Sequence, residues 1–567
     1  MIFISSTSLK KETKRILKFF VLSFKQIFWF SILNRKRILK NRSIKVQKNE
    51  STLFFSNSNA LFRSWYVYQI VTNVSRIIKY KPSFQKGTFI NILSIIFPKG
   101  ISNISSLDLK IVMGNAKNIH EDKIENISFS KKQLAYYRDH NSIELEIKDN
   151  VKAIEAKSKK GKIALQIFAN IFDPRIVKKR TIFLVVDAVS FKEFKESKVY
   201  CEFLSESKHV LKECFSPSTV TGSALPSLLT LKPFFTHLMG DYNAMYYSPD
   251  LECLSPNINT LAEVITSKVD YKSAITSFSK TMPFYGYYRG FDRYYNRCSG
   301  NNYSPSALDI YKAELIEKKA FLNNFNSQFN FIHDIGGHPP VIPNLLRDNQ
   351  KLIHFKNSYS YSINVSLEKV KDIMLYLNDS GELLNTNLII TGDHTESYGF
   401  SKNKYNLFPE RISVPLFFRP SEMEINSKLL NWLDSQEIYT PLTFLLSKIF
   451  SDLFEFNFNH PHFIFNELFW LSSVFEYPKR KYIYTLALSN IDKKYYCCKI
   501  KLNDILEIND AKLYKSLNVE IFSVSSKNNL KIIDYGSKTY KWIKESFISY
   551  LYSCRISNFR PIKQGKL

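Results

Sequence analysis

Five continuous apolar runs, rich in β-branched and aromatic residues, constrain the fold of this chain more than any other feature. A run without alternation is typical of a strand that is buried on both faces of a parallel sheet. The runs are TIFLVVDAV at 181–189, YKSAITSF at 271–278, FNFIHDI at 329–335, TNLIITGDH at 386–394 and VPLFFR at 414–419. Helix-like stretches such as SLEKVKDIMLYLN lie between them. The pattern therefore predicts a doubly wound, mostly parallel α/β sheet.

The sequence pattern divides the chain into four predicted segments. Residues 1–50 form a basic amphipathic N-terminal extension, and residues 51–176 show no pattern that assigns a fold. Residues 177–470 hold the predicted α/β domain. Beyond it, residues 471–567 carry shorter alternating strands and a final helix. This last pattern predicts a small antiparallel C-terminal subdomain of α+β type.

The formal net charge of +28 bears on the partners of the chain. The sequence is rich in Lys, Asn, Ile, Phe and Tyr and poor in Gly, as expected of an AT-rich coding background, which accounts for much of this excess. No known nucleic-acid-binding signature occurs in the sequence, so nucleic acid is a disfavoured partner. Peripheral contact with an anionic membrane surface or a polyanionic glycan is the alternative that the charge favours.

The N-terminal segment and the cysteines bear on location. Residues 15–33 are strongly apolar, but Lys18 and Lys25 lie seven residues apart and so share one face of a helix. This pattern predicts either an interfacial amphipathic helix or a helix that docks on the folded domain. Seven cysteines without a CxxC spacing fit a reducing compartment better than a disulfide framework. We therefore expect a cytoplasmic protein, with the inner membrane surface as the alternative location.

Polar residues suited to chemistry follow three of the predicted strands. Asp187 follows the first predicted strand, TIFLVV. His338 follows FNFIHDI, and Asp393 with His394 follows TNLIITG. The carboxyl ends of the strands in an open parallel sheet form the edge at which ligands bind. Carboxylate and imidazole ligands suit zinc or manganese, whereas oxygen ligands alone suit calcium or magnesium. The sequence thus predicts a candidate metal site at this edge.

Six segments resemble the sulfatase branch of the alkaline phosphatase superfamily, both in their sequences and in their order along the chain. The segments are FLVVDA, SALPSLLT, NINTLAEVI with YKSAITSFS and YYRGFDRYY, FIHDIGGHPP, LIITGDHTES and RISVPLFFRP. They follow one another in the family's order between residues 178 and 450. The resemblance implies the α/β fold of that superfamily and a sulfate or phosphate ester as substrate.

The resemblance also implies roles for individual residues. Asp187, Asp393 and His394 match the positions of metal ligands, which implies one divalent metal ion (Mn, Zn or Ca). His338 matches a histidine beside the leaving-group oxygen, where it would act as general acid or contact the substrate. Asp334, near the end of its strand, is expected to be structural.

The sequence departs from the family pattern at the position of the nucleophile. Sulfatases convert the Cys of a C-x-P-S-R motif into formylglycine, and related enzymes place Thr or Ser at the N-terminus of a helix. Alignment of Pro226 and Ser227 with that motif puts Ala224 at the attacking position, and alanine cannot attack. A shift of one residue brings Ser223 into place, and a longer loop presents Thr221.

Two functions remain as hypotheses. The first is a sulfatase-like, metal-dependent hydrolase or transferase acting on a sulfate or phosphate ester of a surface glycan or lipid head group. In this hypothesis Ser223 attacks and His338 assists the leaving group. The second is a catalytically impaired relative that binds an anionic glycan or a partner protein. Ala224 and Ala188, which stands where sulfatases carry a second Asp, favour the second hypothesis; the intact Asp-His pair favours the first.

Overall fold

A computed structural model provides the structure of the protein. It describes residues 52–57, 63–69, 71–81, 89–114, 122–137, 142–147, 150–170, 179–233, 254, 258–278, 281, 283–298, 306–337, 355–395, 412–424, 426–437, 440–456, 464–465, 468–475, 482–489, 491–501, 517–524 and 530–556. The N-terminal extension at 1–50 and the predicted site residue His338 lie outside these described residues.

The first of two compact units comprises Met1–Ile171 with Tyr295–Pro305 and is built mainly from antiparallel strands. Its elements are β1 (Thr52–Asn57), β2 (Arg63–Gln69), β3 (Ile77–Tyr80), β4 (Phe89–Ile96), β5 (Ser106–Gly114), β6 (Asp122–Ser130), α1 (Lys131–Ala135), β7 (Ser142–Glu146), β8 (Asn150–Ser158) and β9 (Ala164–Asn170). Strands β3-β8-β5-β6 form one sheet and β7-β4-β9 another, and both contribute to one apolar core. The sequence pattern predicts no fold for residues 51–176, and the structure shows that strands β3 to β9 of this segment form two antiparallel sheets.

The second unit, Phe172–Tyr294 with Ser306–Leu567, holds the predicted α/β sheet. Its strands are β10 (Lys179–Val186), β11 (Val210–Phe215), β12 (Tyr271–Thr276), β14 (Ser327–Asp334), β15 (Thr386–Gly392), β16 (Ser413–Arg419) and β17 (Thr440–Pro441), while β13 (Arg293–Cys298) crosses the boundary of the units. Apart from β13, these strands are arranged in the order β12-β14-β10-β15-β16-β11-β17. The first four run parallel, and β16 runs antiparallel to both of its neighbours. The mostly parallel sheet is confirmed.

Helices cover both faces of this sheet. They are α2 (Phe191–Lys195), α3 (Lys198–Glu202), α4 (Thr221–Thr230), α5 (Leu261–Val264), α6 (Ala307–Glu317), α7 (Lys319–Leu322), α8 (Phe355–Asp379), α9 (Ser427–Ser435) and α10 (Leu442–Phe454). On one face, Ile182 and Leu184 of β10 line the same apolar cavity as Val370 of α8. On the other face, the ring centroid of Phe183 lies 5.3 Å from that of Phe450 in α10. Because neighbouring side chains of a strand point to opposite faces, this double cover explains the continuous apolar run of β10.

A second sheet follows near the C-terminus. It consists of β18 (Ile464–Phe465), β19 (Leu468–Phe475), β20 (Tyr482–Ser489), β21 (Tyr495–Lys501), β22 (Glu520–Val524) and β23 (Leu530–Ile532), all antiparallel to their neighbours. Helix α11 (Lys538–Ile556) places Phe547 and Leu551 in the core of this sheet. The predicted small antiparallel subdomain is confirmed. In the part of the chain that the structure describes, no helix is long and apolar enough to cross a membrane.

Candidate functional site

The carboxyl ends of β10, β14 and β15 meet at one edge of the main sheet and bring three polar side chains together. Asp187 follows β10, His333 lies near the end of β14, and Asp393 follows β15. All three are fully buried, and each offers a ligand atom within 4.8 Å of the others. Because β10 pairs in parallel with both β14 and β15, the strand order itself causes this convergence.

His394 completes a cluster around the two carboxylates. Its Nε2 lies 3.5 Å from Asp187 Oδ1 and 3.5 Å from Asp393 Oδ2. Its Nδ1 lies 3.1 Å from the carbonyl oxygen of Thr395, which can only accept a hydrogen bond. In the neutral ring, this contact places the proton on Nδ1 and leaves the lone pair of Nε2 facing the carboxylates. Metal-binding histidines are commonly oriented in this way by a hydrogen bond at the other nitrogen.

Only one oxygen of the Asp393 carboxylate has hydrogen-bond partners among the described residues. Oδ1 accepts the backbone N–H groups of Ala188 and His394, each at 2.9 Å. Oδ2 is buried and has no hydrogen-bond partner among the described residues, and no described Lys or Arg pairs with this side chain. A buried carboxylate oxygen without a partner is costly. A divalent cation among Asp187, Asp393 and His394 would satisfy it, so these residues fit the implied ion.

The turn after Asp187 is held in a strained but well-supported conformation. Ala188 has a positive φ of 61°, which a residue with a Cβ adopts only where its surroundings enforce it. The Tyr359 hydroxyl, from α8, donates to the Ala188 carbonyl at 2.6 Å and accepts the Ser190 N–H at 3.2 Å. The Gly337 N–H donates to the Asp187 carbonyl at 3.0 Å. These contacts hold the backbone of the turn that follows Asp187.

Gly336 packs directly against the same turn, and we expect Gly336→Ala to lower the free energy of unfolding by about 2–4 kcal/mol. Its φ is +43°, and an added Cβ would lie 2.5 Å from Val186 Cγ1 and 2.9 Å from the Asp187 carbonyl oxygen. Gly381 is a matched control, because its φ is +73° and a Cβ there meets nothing within 4 Å. Gly381→Ala should cost only about 1 kcal/mol. Denaturant unfolding of both variants measures the difference, and equal losses would contradict the predicted steric clash.

Helix α4 presents a hydroxyl to this cluster from its first residue. The Thr221 Oγ1 lies 3.0 Å from His394 Nε2 and 3.3 Å from Asp187 Oδ2. The first N–H groups of a helix lack acceptors within the helix, and its dipole favours an anion at this end. Thr221 is 5% exposed, but the preceding Val220 is 40% exposed, so the start of the helix lies next to solvent. The site therefore combines a hydroxyl, two carboxylates and a helix N-terminus.

The other residues singled out in the sequence lie elsewhere. The Ser223 hydroxyl bonds to that of Ser218 and donates to the Val220 carbonyl at 3.3 Å. Ala224 is fully buried within α4. The Asp334 carboxylate accepts hydrogen bonds from the hydroxyls of Ser306 and Ser366. His338 lies outside the described residues. Thr221, not Ser223, is thus the hydroxyl that contacts the predicted ligands.

His333 is the member of the cluster that the sequence interpretation missed. It lies inside the run FNFIHDI, where it is a polar residue in an otherwise mostly apolar, buried strand. A polar side chain inside such a strand needs a partner, since its burial is otherwise costly. That requirement was the available signal, but it does not identify the partner.

Parts of this chain are similar to known proteins. Residues 181–440 match the family model for Sulfatase. No curated protein shows significant sequence similarity to the chain. Among solved structures, Ps i-CgsB in complex with k-i-k-neocarrahexaose is 13% identical, covering 68% of this chain and 94% of that chain, with a TM-score of 0.43.

Two further solved structures are similarly distant. The lipoteichoic acid synthase LtaP from Listeria monocytogenes is 11% identical, with a TM-score of 0.43, covering 68% of this chain and 93% of that chain. The phosphonate monoester hydrolase of Agrobacterium radiobacter is 12% identical, with a TM-score of 0.39, covering 67% of this chain and 96% of that chain. The residues that match the family model for Sulfatase, 181–440, make up a little less than half of this chain and include Asp187 and Asp393.

Proposed function

We propose that the chain is a metal-dependent hydrolase or transferase of phosphate esters, with Thr221 as its nucleophile. The observation that carries the proposal is the position of Thr221 Oγ1, at the start of α4 and 3.0 Å and 3.3 Å from His394 Nε2 and Asp187 Oδ2. Nucleophilic hydroxyls need an adjacent group that favours the alkoxide. A divalent ion held by Asp187, Asp393 and His394 would supply that effect and draw charge from the ester oxygens.

The residues of the chain divide the reaction between them. The Thr221 oxygen attacks phosphorus, the bond from phosphorus to the leaving oxygen breaks, and the hydroxyl proton passes to the Asp187 carboxylate beside it. The N–H groups at the start of α4 face the anionic ester and hold it. His338 remains the proposed donor of a proton to the leaving oxygen. Attack by water or by an acceptor alcohol then breaks the bond from phosphorus to Oγ1 and restores the threonine.

A phosphate ester is favoured over a sulfate ester because the residues for formylglycine chemistry are missing. Ala224 cannot be converted to formylglycine. Cys214 is the cysteine nearest to α4 in the sequence, but its Sγ donates to the Val414 carbonyl inside the sheet. Burial, together with the nearby Glu213 carboxylate, raises the pKa of the Cys214 thiol well above its usual value. A threonine hydroxyl has no second oxygen to expel sulfate as formylglycine hydrate does, whereas water can displace a phosphoryl group from threonine.

The charge of the N-terminal segment supports a substrate that is carried on an anionic surface. Residues 1–50 contain thirteen Lys or Arg and two Glu. Each basic residue near an anionic membrane contributes attraction, so such a segment would keep the domain close to a lipid head group or a surface glycan. The proposed substrate is therefore a phosphate ester of one of these two classes.

Turnover of matched aryl esters tests the proposal. In the presence of Zn²⁺ or Mn²⁺, the full chain should hydrolyse an aryl phosphate at least about 100-fold faster than the aryl sulfate. Mass spectrometry of the rapidly quenched reaction should find a phosphoryl group on the peptide that contains Thr221. The same assay with phosphatidylglycerol vesicles distinguishes lipid from glycan substrates. If an anionic ester binds but no ester turns over, the catalytically impaired alternative replaces this proposal.

A further inference from the structure

His333 contributes an imidazole to the cluster from the strand next to β10. Its ring is fully buried, and its Nε2 lies 3.8 Å from Asp187 Oδ2. In the register of the sheet His333 is paired with Val185 of β10 and Thr276 of β12, close to the carboxyl ends of both strands. The Phe278 ring, 6.3 Å away between centroids, packs on the side of β12. His333 is therefore held against the site by two neighbouring strands.

We propose that His333 is an additional ligand of the ion, so that two carboxylates and two imidazoles select a zinc-class ion over calcium or magnesium. This inference rests on the proposed metal-dependent function and concerns the same site. It replaces the open choice among Mn, Zn and Ca with a specific expectation.

Three distances, two from His394 and one from His333, are close to those between ligands that share one ion. Two atoms that each lie about 2.1 Å from an ion are roughly 3.0–3.4 Å apart at the angles of four- and five-coordinate sites, and five-coordination leaves a position for Thr221 Oγ1 or the ester. His394 Nε2 lies 3.5 Å from an oxygen of each carboxylate, and His333 Nε2 lies 3.8 Å from Asp187 Oδ2. The last distance exceeds that of a hydrogen bond. A shared ion accounts for atoms that are close together but too far apart for direct hydrogen bonds.

The turn after Asp187 offers no third carboxylate to this ion. Ala188 contributes only its N–H, which donates to Asp393 Oδ1. Its methyl side chain carries no donor atom, so any further protein ligand comes from another element. His333 is in place on β14 with an atom of its ring within 4.8 Å of Asp187 and Asp393.

The chemistry of these ligands discriminates between ions. Calcium takes six to eight oxygen ligands and magnesium keeps several waters, so neither gains from two imidazoles. Imidazole nitrogen suits zinc, and such a site binds zinc more tightly than manganese. Two nitrogen and two carboxylate ligands therefore favour Zn²⁺, and Co²⁺ as its spectroscopic substitute.

Metal binding by the full-length chain tests the inference directly. Competition against a chelator should show at least about 100-fold weaker Zn²⁺ binding by His333→Gln and His333→Ala than by the wild type. The visible absorption of bound Co²⁺ should also change in both variants. His209→Gln is the control, because both ring nitrogens of His209 contact residues other than the proposed ligands: Nε2 lies 3.3 Å from the Tyr200 hydroxyl and Nδ1 lies 2.7 Å from the Ser207 carbonyl oxygen. It should bind Zn²⁺ and Co²⁺ as the wild type does.

The outcomes separate this inference from the proposed function. An unchanged Zn²⁺ affinity and Co²⁺ spectrum in both His333 variants, with melting curves that show folded protein, would overturn the ligand role while leaving the proposed function intact. Tighter binding of Ca²⁺ than of Zn²⁺ by the wild type would overturn the selectivity. Zn²⁺ binding that depends on His333, without turnover of any ester, would support the inference and reject the proposed function. No binding of either ion would reject both.

Discussion

A Thr221→Ala variant is expected to lose at least about 10⁴-fold in the turnover of an aryl phosphate while keeping its fold. Removal of a nucleophile leaves only the catalysis that binding and electrostatic stabilisation provide. Among the described residues, the Thr221 hydroxyl is the one that contacts both Asp187 and His394. Steady-state kinetics at saturating Zn²⁺ measure the loss. Zn²⁺ affinity, determined in parallel, shows that the ion is still bound.

Three further variants make this result specific to the Thr221 oxygen. Thr221→Ser keeps an oxygen at the same position and should retain activity within about 10-fold of the wild type. Ser227→Ala removes a hydroxyl that donates to the Ser223 carbonyl in the same helix, and it should leave turnover nearly unchanged. Ser223→Ala tests the competing candidate. Loss of activity in Ser223→Ala, with activity kept in Thr221→Ala, would assign the attack to Ser223 and contradict our proposal.

The sheet and most of the site were predictable because strands that are buried on both faces have continuous apolar sequences. Strands β10 and β15 are covered on both faces, so their apolar runs stop where the chain reaches the edge of the sheet. Asp187 and Asp393 stand at that point in each case. Parallel strands end at the same edge, and this rule alone brings the two carboxylates together. His394 follows by its place next to Asp393.

Other parts of the structure depend on contacts that no local pattern specifies. In the first unit, β4 pairs with β9 and β3 with β8, so each pair joins segments far apart in the sequence. The side chain of His333 faces the site because of its position in β14, which its sequence neighbours do not reveal. The choice between Thr221 and Ser223 depends on where α4 begins. Several hydroxyl residues in that segment could start a helix equally well.

An Asp393→Asn variant is expected to lose at least about 100-fold in Zn²⁺ affinity, yet to melt at or above the temperature of the metal-free wild type. In the wild type, Asp393 Oδ2 is buried without a hydrogen-bond partner among the described residues, so its charge is costly when no cation is bound. Asparagine keeps an oxygen for the N–H groups of Ala188 and His394 and removes the charge. Calorimetry with Zn²⁺ and with a chelator measures both effects.

Bound Zn²⁺ should raise the melting temperature of the wild type by about 2–3 °C at 100 times its Kd, and should not raise that of Asp393→Asn. Asp334→Asn is the matched control, because Asp334 is an equally buried carboxylate whose oxygens accept the Ser306 and Ser366 hydroxyls. Its replacement should lower the melting temperature but leave the shift caused by Zn²⁺ intact. A Zn²⁺ shift of wild-type size in Asp393→Asn would show that Asp393 is not a ligand. A large loss of stability in the metal-free form of that variant would show instead that this carboxylate stabilises the fold without an ion.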